Sequence, residues 1–413
     1  MFLQSLLRSN PAFVDAAIEL HQAGQIPANS YVLDLDAIAT NAGHIVAEAR
    51  RHQLSVFPMT KQFGRNPEAL KVISSAGIER FVAVDMACAR AILNGGFAIG
   101  HLGHLVQIPR HEVAEALSMS PAYWTVFSRE QASAISQASQ EGLQQKVLLR
   151  IYGCDDTVVP THAGGFALET LYADIDHLST LPGLTVAGVT TYPSAYFDRL
   201  SRTVTPTPNV RSMQKAATIL KAHGIADVQI NMASELSTRT IQLAAEGGAT
   251  QIEPGHAFTG TSPYQIFADA PERQAMIYIS EISHFAGSGA FFFGGGLYQC
   301  IGAVEHTPEA LVGRSSVHRP SFERALLTTP PNGVIDFYGR LDYQAGTDVR
   351  IGDTVVVCTR PQAFFTRAFV VPVRGISSGM PQVLGVWDVN GFRASGAPAH
   401  TLRKQGSGPL TAP

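Results

Sequence analysis

The chain has little of what would mark several large classes of protein. Only four of its 413 residues are cysteine, Cys88, Cys154, Cys300 and Cys358, and no two form a CxxC pair. Neither a zinc ribbon nor a disulfide framework is therefore expected, and a reducing cytoplasm suits the chain. Charged residues are 15% of the total and the formal net charge is −3. That leaves no broad positive field for a phosphate backbone or an anionic membrane, and nucleic acid is excluded as an expected partner. No run of about 18 uncharged apolar residues occurs, so no membrane span is expected. The segment Met1 to Gln25 lacks the basic start and continuous apolar stretch of a secretory leader. Its Phe2, Leu3, Leu6 and Leu7, mixed with Arg8, Asp15 and Glu19, predict a surface helix of an N-terminal extension over 1–27.

What the chain does have is apolar content, 45%, enough to bury large cores. Nine short apolar runs alternate with helical patterns: 31–36, 54–61, 81–85, 101–107, 123–128, 146–152, 185–193, 228–233 and 251–258. Strand alternating with helix means a parallel sheet wrapped by helices. With the first run set aside as a strand shared with another domain, eight remain, the number of a (βα)8 TIM-type barrel, and 28–262 is expected to form it. An open doubly wound sheet would show a Gly-rich first turn. The turn here reads Gln62-Phe63-Gly64-Arg65-Asn66-Pro67. After Pro263 the pattern changes to short β-rich runs separated by Gly and Pro, including 276–282, 333–338, 353–358, 368–373 and 382–387. A mostly antiparallel β domain over 263–395 and a flexible tail over 396–413 are expected.

Six lysines stand against 24 arginines, and one of them, Lys61, ends an apolar run. An ammonium at the apolar end of a barrel strand is costly to desolvate, which lowers its pKa and makes it a nucleophile toward carbonyls. A strand-end lysine paired with Asp85 is the plainer alternative. Glu253 opens Glu253-Pro254-Gly255-His256 at the eighth barrel strand, and carboxyl ends of barrel strands face the active-site mouth. Gly255 and Gly260 permit close backbone approach to a phosphate, and Ser234 at the seventh strand adds a hydroxyl, although a turn glycine and a helix N-cap explain the same letters.

Taken in order, Tyr31-Val32-Leu33-Asp34-Leu35-Asp36 before a helix, Lys61 at the next strand and Glu253-Pro254-Gly255 near the barrel's close resemble the alanine racemase-like (fold type III) pyridoxal-phosphate enzymes. The stretch from Met59 to Pro67 is similar to the YhfX-like members. The resemblance implies pyridoxal 5'-phosphate held as a Schiff base on Lys61, with Ser234, Gly255 and His256 near its phosphate. It implies a reaction at the α-carbon of an amino acid. Where alanine racemases place an arginine at the pyridine nitrogen, this chain offers Glu253, as in related decarboxylases, and a carboxylate there keeps the nitrogen protonated. Racemisation leads as the expected reaction. Decarboxylation or a D-amino-acid lyase reaction and a non-catalytic carrier are the alternatives.

Around that frame, Tyr192 is a strand-end aromatic placed to stack on the cofactor or to sit at the rim. His104 points inward as a cofactor contact or a satisfied barrel histidine. Tyr298, after Gly294-Gly295-Gly296, falls where the family carries an opposite-face base from the partner chain, or it packs a turn. Cys358 lies where decarboxylases place a cysteine across a dimer interface, or it is a buried strand residue. Arg360 binds a substrate carboxylate or makes a salt bridge. A homodimer is implied by the resemblance alone. No metal is expected: there is no HExxH, and His101 and His104, three apart on a strand, would face opposite sides.

Overall fold

The computed structural model describes residues 2–297, 309–314, 323–329, 335–343, 346–361 and 366–395. The first strand, β1 (Ser30–Asp34), is followed by the barrel strands β2 (Ser55–Val56), β3 (Arg80–Ala83), β4 (Ala98–Leu102), β5 (Tyr123–Val126), β6 (Gln145–Tyr152), β7 (Leu184–Thr191), β8 (Gln229–Met232) and β9 (Gln251–Ile252). Strands β2 to β9 are all parallel, in the order β2-β9-β8-β7-β6-β5-β4-β3. A parallel bridge between Met59 and Val82 closes the ring. The eight-stranded βα barrel expected from the alternation is therefore what the chain forms. Its first strand is short because Pro58 breaks the ladder, yet the hydrogen bonds run on: Phe57 N–H to the Ile252 carbonyl, Met59 N–H to Pro254 and Val82 N–H to Pro58.

After the barrel come β10 (Met276–Ala286), β11 (Gly289–Phe293), β12 (Glu309–Gly313), β13 (Glu323–Thr328), β14 (Tyr338–Asp342), β15 (Thr354–Val357), β16 (Phe369–Arg374) and β17 (Gln382–Val383). Strands β10, β11, β14, β13, β12 and β15 pair antiparallel in that order, and β15 returns to β10, so they close a second barrel. Strand β1 belongs to this second sheet, antiparallel to β10 and parallel to β16. Strands β11, β12 and β13 were not marked by the sequence pattern. Among the described residues the run expected over 333–338 begins as strand only at Tyr338.

The N-terminal segment departs from expectation. It forms two helices, α1 (Phe2–Ser9) and α2 (Pro11–Gln22), and they are not surface helices. Leu3, Leu6, Phe13 and Ile18 are fully buried and pack with Val32, Ile277, Ile279, Val356 and Val371 on the outer face of the second barrel. The antiparallel strands carry apolar residues on both faces, and the helices cover the outer one. No helix among the described residues is long and apolar enough to cross a membrane.

Candidate active site

The carboxyl ends of the parallel strands open onto a pocket lined by Lys61, Tyr192, Ser234, Glu253, Gly255 and Arg360, where ligands bind in barrels of this kind. Lys61 enters it from the end of the first barrel strand, where a short turn of 3-10 helix (Lys61–Phe63) replaces the expected extended run. The letters that follow are a built stop. Gly64 has φ +65°, and a Cβ there would lie 2.8 Å from a Val370 methyl. Asn66 accepts hydrogen bonds from the backbone of Glu68 and Ala69 and caps the next helix, with Pro67 in its first turn. Burial pushes the Lys61 amine below the ordinary lysine value. Cys88, Asp85 and Glu253 oppose that shift and Arg65 adds to it. More of the amine is therefore neutral and able to attack a carbonyl.

Glu253 follows β9 and is buried on the barrel floor. His101 Nδ1 hydrogen-bonds to its Oε1, and Asn231 Nδ2 donates to the same oxygen at 2.9 Å. Oε2 has no hydrogen-bond partner and lies 3.6 Å from His104 Nδ1. Burial on its own raises the Glu253 pKa, but the two histidines and the hydrogen bonds outweigh it, holding the carboxyl well below its ordinary range. Burial also pushes His104 down to about 3 against the pull of Glu253, so its ring is neutral near pH 7. The grip on the carboxylate thus comes from His101 and Asn231.

Sequence spacing misjudged the two histidines. Strand β4 ends at Leu102, and Gly103 at φ +74° turns the chain, so the rings of His101 and His104 meet edge to face at 5.4 Å. Ligand atoms of His101, His104 and Glu253 lie within 4.8 Å of one another, so both histidines face one carboxylate. In this structure His101 Nδ1 and Glu253 Oε1 are engaged with each other.

The rim is assembled from loops. Tyr192 lines the pocket with its ring against His104 and His162, and Arg150 donates to its carbonyl at 3.0 Å. Ser234 and Glu235 follow β8 with positive φ, +102° and +29°. Two consecutive residues in this region cost about 1–3 kcal/mol each and mark an over-determined loop. Ser234 caps no helix: its hydroxyl accepts from the Ser194 N–H at 3.3 Å. Gly255 and His256 line the same wall, and a Cβ on Gly255 would come within 2.4 Å of the Gln62 amide. Arg360, from the second domain, reaches the pocket and donates to Glu235 Oε1 at 3.0 Å, while its Nε is without a partner.

One expected residue is elsewhere. Cys358 does not reach the pocket: its buried thiol donates to Gln274 Oε1 at 2.7 Å, and burial pushes its pKa up to about 12. It packs in the core beside the N-terminal helices and has no catalytic place in this chain's pocket. Tyr298 lies outside the described residues, as does the tail over 396–413. Residues the sequence did not single out include Gln62, Asn231, Thr125 and Glu235. Gln229 with Asn231, and Gln251 with Glu253, put polar groups at alternate positions of parallel strands that would otherwise be apolar throughout, and this was the available signal.

Comparison with known proteins bears on this arrangement. Residues 33–263 match the family described as alanine racemase, N-terminal domain, and residues 277–383 match the YhfX-like C-terminal domain. The chain belongs to the alanine racemase-like family. It is 38% identical to the protein YhfX of Escherichia coli over 389 residues, covering 94% of this chain and 98% of that one. Its fold is shared with D-threo-3-hydroxyaspartate dehydratase from Delftia sp. HT23, at TM-score 0.64 and 17% identity, covering 88% of this chain and 96% of the other. Alanine racemase from Corynebacterium glutamicum gives TM-score 0.60 at 16% identity, covering 80% and 89%. The alanine racemase-like fold therefore serves an isomerase and a lyase.

Proposed function

We propose that this protein is a pyridoxal-phosphate enzyme acting at the α-carbon of an amino acid. The observation that carries the reading is a desolvated amine, Lys61, and a buried carboxylate oxygen without a hydrogen-bond partner, Glu253 Oε2, lining one pocket. The residues fit the group. Lys61 would hold its aldehyde, Glu253 its ring nitrogen, Tyr192 and His104 would lie beside the ring, and Ser234, Gly255 and His256 would meet the phosphate. Bound there, the cofactor supplies an electron sink for a bond broken at the substrate's α-carbon.

The chain's own groups do the rest. Lys61, its amine pKa lowered by burial, accepts a proton on its own face of the site. Glu253, gripped on Oε1, keeps a negative charge toward the pocket. Arg360 presents a guanidinium for the substrate carboxylate, with Glu235 as its resting partner. Racemisation is the leading reaction, with Tyr298 or another partner-chain residue as the base on the opposite face of a head-to-tail homodimer in the cytoplasm. A lyase reaction is the second reading, supported by the carboxylate at Glu253, since a protonated ring serves elimination and decarboxylation as well as proton exchange.

The test is to incubate purified protein with pyridoxal phosphate and follow its visible absorbance and borohydride trapping, then offer L- and D-amino acids. Wild type is expected to be trapped at Lys61, and Lys61→Ala to lose the trapped adduct. Inversion of chirality without loss of mass supports the racemase, and release of ammonia or carbon dioxide supports the lyase. An unchanged chromophore in Lys61→Ala overturns the reading.

A further inference from the structure

Glu253 ends a hydrogen-bonded ladder of buried side chains on the inner wall of the parallel barrel. Thr190 Oγ1 donates to Asn231 Oδ1 at 3.0 Å, which fixes the amide so that its Nδ2 faces Glu253 Oε1. His101 spans two further strands, with Nδ1 on the same Oε1 and Nε2 against Thr125 Oγ1. His101, Thr125, Thr190 and Asn231 are all fully buried. A carboxylate oxygen accepts two such bonds readily, and removing one from a buried acceptor leaves it under-satisfied. The second oxygen, Oε2, is left facing the pocket with no partner.

We propose that His101 is a positioning residue for Glu253: together with Asn231 it occupies Oε1, so that Oε2 is the oxygen presented to the pyridine nitrogen of the cofactor. The inference rests on the pyridoxal-phosphate reading and adds to it a residue that touches neither cofactor nor substrate. It divides the labour within one carboxylate, one oxygen for the fold and one for the ligand. Without His101 the carboxyl loses half of its anchorage on Oε1 and is free to turn, and the contact with the ring nitrogen weakens. Because an imidazole Nδ1 and an asparagine Nδ2 sit at similar reach from the main chain, His101→Asn retains a donor to Oε1, whereas His101→Leu does not.

The experiment compares binding of pyridoxal phosphate with binding of its 1-deaza analogue, which has carbon in place of the ring nitrogen, by equilibrium titration of the full-length protein. Wild type is expected to prefer pyridoxal phosphate, and His101→Leu to lose about tenfold of that preference, the worth of one hydrogen bond to a charged group. His101→Asn should restore most of it, and Glu253→Gln should abolish it. A general weakening of the fold would lower both affinities together and leave their ratio unchanged. If His101→Leu does not fold, Thr125→Val, which removes the partner of Nε2, is read the same way with a smaller loss. A folded His101→Leu or Thr125→Val protein that keeps the wild-type ratio overturns the inference alone. Wild type that binds neither compound overturns the cofactor reading and the inference with it.

Discussion

The two barrels of this chain bury their strands in opposite ways. Inside the antiparallel barrel Ile282, Ala290, Phe292, Val312, Leu341, Val355 and Val357 are fully or almost fully buried and apolar. The parallel barrel buries His101, Thr125, Thr190, Asn231, Gln251 and Glu253 as completely. Burying a polar group is costly unless it is hydrogen-bonded, and deep in the parallel barrel these groups are paired with one another. Pairing lapses at the pocket, where Gln62 Oε1, both His104 nitrogens, Glu253 Oε2 and Arg360 Nε have no partner. One barrel is built for stability, and the other gives up some stability to hold unsatisfied groups where a ligand can reach them.

The sharpest way to break that comparison is to cut the apolar barrel. Phe292→Ala should cost about 3–5 kcal/mol by chemical denaturation, as for other buried phenylalanines, while leaving capture of pyridoxal phosphate by the folded fraction unchanged. Loss of cofactor capture at constant folding would mean that the two barrels do not divide their roles.

A second test uses acid. His21 on α2 is buried with its Nδ1 2.7 Å from Thr354 Oγ1, and burial lowers its pKa to about 4 from 6.5. The fold accepts the neutral ring, so the stability tied to it is complete above about pH 6.5 and is lost as the pH falls toward 4, up to about 3 kcal/mol. His21→Gln should flatten this part of the pH profile, and an unchanged profile would remove His21 as its source.

The smallest effect has the opposite sign. Lys61→Met should raise the stability of the cofactor-free protein by about 1 kcal/mol, because a desolvated amine is replaced by an apolar chain of similar length. A destabilised Lys61→Met protein would place Lys61 among the structural residues.

The alternation of apolar runs made the parallel barrel legible, since buried parallel strands are continuous apolar segments and their connecting helices have a different period. Lys61 was legible because a lone lysine at the end of such a run contradicts its surroundings. Three kinds of information were not. Gly103 turns the chain after β4, and that positive φ put His104 on the same side as His101, where spacing along a strand put it opposite. Cys358 and Arg360 are two residues apart, yet the first packs under the N-terminal helices and the second enters the pocket. Which way each side chain points depends on where β15 ends. Strands β11 to β13 were missed because Gly, charged residues and short length blur their alternation.

Strand β1 carries a consequence for how the molecule is made. Its neighbours in the sheet are β10 and β16, so it is translated first among them and must wait for partners encoded hundreds of residues later. By the time β9 has left the ribosome every strand of the parallel barrel is present, while β1 still has an empty edge on both sides. Nascent chains stalled once β9 has emerged, but before β10 has, would therefore carry one finished barrel and one orphan strand, an edge open to pairing with the wrong chain until synthesis is complete.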